Sequence, residues 1–214
     1  MEIPTPEYFR EKVEEMIEKY IITDCIYTSC IEEFGRIKLS EMNEIDGIRI
    51  IRPFLFTWGQ MQRWLGDVGV ERVIQKLKSE AFAVRIEPLR CRNLQIVKLE
   101  GLKELIVGLF NELMETKFNS ELGKEKHVNS TATSKVLHLC CPNLFIMWDR
   151  NIRIGYHKYN GEGEDYFQFL VEMKNLWNKL SGAIRELQVK YEMYPLRPTR
   201  IIDMYNFAEH NREK

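Results

Sequence analysis

Tyr166, Leu170, Met173, Trp177, Leu180, Ile184, Leu187 and Tyr191 recur at alternating four- and three-residue steps. At about 3.6 residues per turn, this spacing lays one apolar seam along about seven turns of α-helix. A seam of that length must be covered, either by the chain's own core or by a second helix. As a coiled coil it would span only about three to four heptads. Burial within its own domain is the simpler reading, and Pro195 and Pro198 stop the helix.

Helical periodicity runs through most of the remaining chain. Thr5 is placed to cap a first helix at Pro6, with Tyr8, Val13, Met16, Ile17 and Tyr20 facing inward. A second segment is expected over 25–34, ending at Gly35, and a turn over 40–50 around Asp46-Gly47. Pro53 is expected to open a helix through Trp64, with a further short helix around Val70–Leu77. Leu102, Leu105, Ile106, Leu109, Phe110, Leu113 and Met114 mark a helix over 101–117. The polar segment 118–133 reads as an exposed loop, SKVLHLCC as a short buried helix, and 199–209 as a terminal helix. Residues 84–99 break the helical pattern and read as either a small β-hairpin or extended loops. The expected fold is mainly α, one compact multi-helix domain, with at most one small hairpin at about 84–99.

Composition narrows the class. With 214 residues, 44% hydrophobic and 29% charged, the chain has the profile of an ordinary globular domain. No apolar run reaches the roughly 18 residues of a membrane span. The acidic, amphipathic first twenty residues are unlike a signal or transit peptide, which points to the cytoplasm. Five cysteines at irregular spacing, without Cys-x-x-Cys, read as reduced, small buried hydrophobes. The net charge of −1 argues against an indiscriminate nucleic-acid binder. Six basic side chains nevertheless oppose two acidic ones in residues 124–158. There is no Gly-x-Gly-x-x-Gly, Walker loop, Gly-x-Ser-x-Gly, His-Glu-x-x-His or EF-hand loop. His138, inside an apolar run, reads as a core histidine.

Chemistry concentrates in Ser130–Tyr156, STATSKVLHLCCPNLFIMWDRNIRIGY. Lys135 is expected in the first turn of its helix, among Val136, Leu137 and Leu139, where desolvation would lower its pKa and free the amine as a nucleophile. Asp149 is expected to cap the next helix and to stabilise developing positive charge. The plainer alternative makes Lys135 a surface lysine and Asp149 an ordinary cap. The hydroxyls of STATS, with helix-start N–H groups, could hold a phosphate. RPFLFTWGQMQRW, at 52–64, gathers aromatic side chains with two glutamines.

This arrangement resembles the catalytic stretch of the helix-hairpin-helix DNA glycosylase superfamily over about residues 100–156. The resemblance implies Lys135 as a Schiff-base lysine and Asp149 as the carboxylate supporting the charged sugar. It implies a pocket for an extruded base, for which Trp58, Gln60, Trp64 and Trp148 are suited. Lys124, Lys126, Ser134, Arg150, Arg153 and Lys158 would hold DNA phosphates, and no metal or cofactor is called for. The family's glycine-rich hairpin is replaced here by Asn129–Ser134, and the lysine-to-aspartate interval is shorter. The implied function is a DNA-repair glycosylase with lyase activity on duplexes carrying damaged or abasic sites, acting as a monomer away from membranes. Two other functions fit the same residues: a non-enzymatic α-helical nucleic-acid-binding or adaptor protein, and a protein that self-associates through the 166–191 seam.

Overall fold

A computed structural model describes residues 3–120, 122–194 and 196–211, with the side chain of Trp58 outside the description. The chain is mainly α-helical. In order it forms α1 (Pro6–Gly35), α2 (Glu44–Pro53), a π-helical turn (Phe54–Trp58), α3 (Gln62–Lys78), α4 (Glu80–Ile86), α5 (Lys103–Met114), a two-stranded antiparallel hairpin of β1 (Lys117–Asn119) and β2 (Glu125–His127), α6 (Ser130–Cys140), α7 (Arg150–Gly155), α8 (Gly163–Lys190) and α9 (Pro198–His210). Short 3-10 turns lie at Leu39–Glu41, Glu87–Leu89 and Leu99–Leu102.

The seam belongs to the core. Tyr166, Leu170, Met173, Trp177, Leu180, Ile184 and Leu187 are all buried on α8, and Tyr191 packs partly buried at its end. Helix α8 lies against α1, α5 and α9, so its apolar stripe is covered within the chain. Non-helical backbone at Leu180 kinks it. Phe110 stacks on Tyr166 at 4.5 Å, and Trp148 meets the same ring edge-on at 5.0 Å. Buried apolar side chains from all nine of these helices form one continuous cluster. Among the described residues no helix is long and apolar enough to cross a membrane.

Several local expectations change once helices are held by packing. Residues 6–35 form one helix instead of two; Thr5 accepts from the Tyr8 N–H at its start. The 40–50 turn is mostly helix α2, because the Asn43 side chain caps it through the Asp46 N–H. Gly47 there is required by contact: a Cβ would lie 2.8 Å from an Ile74 methyl. Pro53 closes α2 instead of opening a helix, and the π turn follows it.

The hairpin sits elsewhere than expected. Residues 84–99 contain the end of α4 and irregular turns, with Ile86, Leu89 and Leu94 turned into the core. The hairpin lies in the segment expected to be loop, with Phe118 opposite Lys126 and buried against α3. One buried phenylalanine in a polar stretch is enough to dock it. Cys30, Cys140 and Cys141 are buried, whereas Cys25 and Cys91 are exposed, contrary to a uniform reading of the five.

Candidate active site

Helix α6 begins earlier than expected. Asn129 caps it through the Ala132 N–H, so Ser130 opens the helix and Lys135 stands in its second turn. Asn129–Ser134 is therefore a capped helix start. The first-turn argument for a special lysine fails, but desolvation remains. Burial holds the Lys135 amine at about 8 against an ordinary 10.5, and the carboxylates of Asp203 and Asp149 offset part of that burial.

A cavity of about 300 Å³ explains this environment. Lys135, Asp149, Trp148 and Gln60 share its wall with Gly59, Arg200 and Asp203. The volume lies at the small end of ligand pockets, about 300–1,000 Å³. Four residues expected to act together are thus brought to one place by three separate segments.

Each wall has a local cause. Lys135 Nζ donates to the Gly59 carbonyl at 2.7 Å. That carbonyl is presented by the π turn, where the Gly59 N–H reaches back to Phe54 O at 2.8 Å. A Cβ at Gly59 would sit 2.7 Å from Leu55 O, so only glycine fits. Gln60 follows with φ of 54°, a left-handed conformation uncommon outside glycine and found preferentially at functional sites.

Asp149 caps α7 as expected. Its Oδ1 accepts from the Ile152 N–H at 2.8 Å, and its Oδ2 accepts from Asn211 Nδ2 at 2.9 Å. Trp148 is buried, with its indole N–H donating to Ser130 O at 3.1 Å and its ring against Phe110, Tyr166 and Phe169. It is at once core and cavity wall.

Opposite lies a cluster absent from the sequence reading. Arg200 and Asp203 project from α9 and are both 6% exposed. Arg200 Nε and Nη2 grip the Asp24 carboxylate of α1 at 3.2 and 2.7 Å, and Arg200 Nη1 donates to Asp203 Oδ2. Burial raises the Asp203 carboxyl to about 6, with Arg200 and Lys135 pulling the other way. The available signal was two charges three residues apart inside the apolar run TRIIDMYNF.

The other expected contacts disperse. Trp64 is 42% exposed, donates to His127 O at 3.1 Å and lies outside the cavity. The Lys126 amine rests 5.1 Å over its ring. Ser134 is fully buried, so its hydroxyl cannot reach a phosphate. Arg153 Nη1 donates to the carbonyls of Lys158 and Tyr159, and its guanidinium lies 6.0 Å from the Trp148 ring centre. Lys158 pairs with Glu172 at 2.7 Å. Lys158 thus spends its charge on the fold and Arg153 its Nη1 donor, while Arg153 Nε is buried without a hydrogen-bond partner among the described residues. Lys124 and Arg150 are exposed. The Trp58 side chain falls outside the described residues.

His138 is the core histidine expected. Nδ1–H donates to Phe145 O, Nε2 accepts from Tyr27 O–H, both at 2.7 Å, and burial lowers its pKa to about 3. No family model, curated protein or solved structure matches the chain.

Proposed function

We propose that the chain is a DNA glycosylase with lyase activity, using Lys135 as an amine nucleophile and Asp149 as the carboxylate that stabilises positive charge on the sugar. One observation carries the reading: a desolvated lysine amine and a helix-capping aspartate face the same small cavity. Lowering the amine from 10.5 to about 8 raises its neutral fraction at neutral pH by roughly 10²-fold.

The chemistry follows from these groups. The Nζ lone pair forms a bond to C1′ of the deoxyribose as the bond from C1′ to the base breaks, its electrons leaving with the base. The nitrogen then loses a proton, the ring oxygen departs protonated, and an imine to Lys135 remains. The Gly59 carbonyl, accepting one amine hydrogen, aims the lone pair without consuming it. Asp149 is suited to electrostatic work, because both of its oxygens already accept hydrogen bonds. Gln60 offers an amide edge to an extruded base, and the buried Trp148 backs the cavity wall from the core side. Exposed Lys124 and Arg150 are the cations left for phosphate contacts.

The test is borohydride trapping on duplexes carrying an abasic site, 8-oxoguanine, uracil or thymine glycol. The expected result is a covalent protein–DNA adduct that disappears in Lys135→Gln while the helical circular dichroism is retained. An adduct that survives in Lys135→Gln overturns the assignment of the lysine. Salt-sensitive DNA binding without any adduct or base release would support the non-enzymatic reading instead.

A further inference from the structure

We infer that the β1–β2 hairpin and the first turn of α3 form a platform for an unpaired DNA strand: one base stacks on Trp64, and Arg63, Lys124 and Lys126 hold the phosphates beside it. DNA as the partner rests on the reading above; the platform rests on geometry that does not involve Lys135.

Trp64 is an indole held in place and left open. It is 42% exposed. Its N–H donates to His127 O at 3.1 Å, which fixes one edge of the ring against the end of β2. The Lys126 amine lies 5.1 Å over one face. A lysine there is a movable cover, because its long stem lets the ammonium swing from the ring to a phosphate as a base takes its place. An aromatic face fixed by its edge and screened by a flexible cation suits a flat, uncharged base.

The hairpin is anchored to the body of the protein. Phe118 is buried, and a Cβ on Gly69 of α3 would lie 3.3 Å from its ring, so strand and helix are in close contact. At the tip, the Ser120 N–H donates to Lys124 O at 2.8 Å.

The charge around the ring is positive. Residues 62–65 and 117–127 carry Arg63, Lys117, Lys124 and Lys126 against Glu125, with Glu121 outside the described residues. Glu125 pairs with Lys117 at 3.0 Å. Arg63 and Lys124 are exposed, and like Lys126 they have no ion pair among the described residues.

Both segments run directly into the cavity wall. The Trp64 backbone N–H donates to Met61 O at 3.1 Å, and Gln60 and Met61 line the cavity. Strand β2 leads through the Asn129 cap into α6, whose Thr131 and Lys135 line the same cavity. A strand lying along the hairpin is thereby led to the cavity mouth.

The ring selects an unpaired strand. A duplex presents phosphates and base edges in its grooves, while its base faces are covered by their neighbours. Only an unstacked base offers its face to Trp64. Three cations also suit a few nucleotides of strand better than a long duplex tract.

The experiment uses the full chain and an oligodeoxythymidine of about 12 nucleotides labelled for fluorescence anisotropy. Wild type should bind it more tightly than its duplex with oligodeoxyadenosine, and binding should quench tryptophan fluorescence. Trp64→Phe keeps a ring without the indole N–H; it should bind within about threefold of wild type and lose most of the quench. Trp64→Ala should bind about tenfold or more weakly. Lys124→Ala and Lys126→Ala should each flatten the slope of log K against log salt by about 0.7, one single-strand phosphate contact. A folded Trp64→Ala that binds as tightly as wild type overturns the inference. So does a Trp64→Phe that fails as badly as Trp64→Ala, which would reduce the ring to an anchor of the hairpin. Wild-type protein that does not bind, or binds without quenching, overturns it whether or not Trp64→Ala folds, as does tighter binding of the duplex or binding of oligouridine only. If the strand binds and quenches but no DNA gives a borohydride adduct, the platform stands and the lyase reading falls. If Trp64→Ala forms adducts at the wild-type rate below saturating DNA, the platform falls and the lyase reading stands.

Discussion

Ser134 joins the two segments that carry the site. Its Oγ accepts from the Trp148 N–H at 3.2 Å, and its hydroxyl proton faces the carbonyls of Trp148 and Thr131 at 3.1 and 2.9 Å. Each partner immediately precedes a site residue, Ser134 before Lys135 and Trp148 before Asp149. The tie lies wholly in the core and holds the lysine helix at a set distance from the aspartate cap.

Ser134→Ala should therefore act on both stability and chemistry. It leaves a buried N–H and a carbonyl of Trp148 without their partner, a loss of about 1–3 kcal/mol. Denaturant unfolding measures the first effect. Trapping of abasic DNA measures the second, and it should slow although no group that meets the substrate has been removed.

The two roles of Asp149 can be separated by substitution. Asparagine caps helices about as well as aspartate, so Asp149→Asn should stay within about 1 kcal/mol of wild type. Alanine removes the cap and should cost about 0.5–2 kcal/mol. Both should reduce base release by about 10²-fold or more, because both remove the charge. Equal activity in Asp149→Asn and wild type would reduce the residue to its structural role.

Gly59→Ala tests the anchor of the lysine. A new Cβ would meet the carbonyl oxygens of Leu55 and Phe54 at 2.7 and 3.0 Å, which are backbone atoms that cannot step aside. The expected penalty is about 1–3 kcal/mol. The displaced Gly59 carbonyl should no longer hold Nζ, so trapping should fall more steeply than stability.

Lys135→Met should stabilise the protein at pH 7. The folded lysine titrates at about 8, below its ordinary 10.5. A lowered lysine means that the unfolded chain binds more protons between those values, so wild-type stability rises with pH across this window. Below about pH 8 the full burial penalty applies. Removing it, less the hydrogen bond to Gly59, leaves a gain on the order of 1–2 kcal/mol. The advantage of Lys135→Met should shrink between pH 8 and 10, a range that thermal melts can cover. An unchanged advantage would mean the lysine is not desolvated.

The elements legible in the sequence were those with a local cause. Thr5 and Asp149 cap the helices that follow them because a short oxygen-bearing side chain reaches N–H groups three residues on, whatever surrounds it. The α8 seam was legible because a 3.6-residue period needs only the chain itself. The same locality misled where weak local signals met strong packing. Asp46-Gly47 reads as a turn, yet Asn43 and the close fit of Gly47 on Ile74 keep it helical. One buried side chain, Phe118, docks a hairpin in a polar stretch. The cavity was half legible. Lys135 and Asp149 stood out as a polar pair around an apolar helix, and an Asn129 cap moved the lysine one turn inward. Arg200 and Asp203 did not stand out, because their meaning depends on Asp24, 176 residues from Arg200. Periodicity and capping are properties of neighbouring residues and are written in the sequence. Which helix faces close on one another, and so which buried charges share a cavity, was decided only by tertiary packing, where the requirement to pair each buried charge acts across the whole chain.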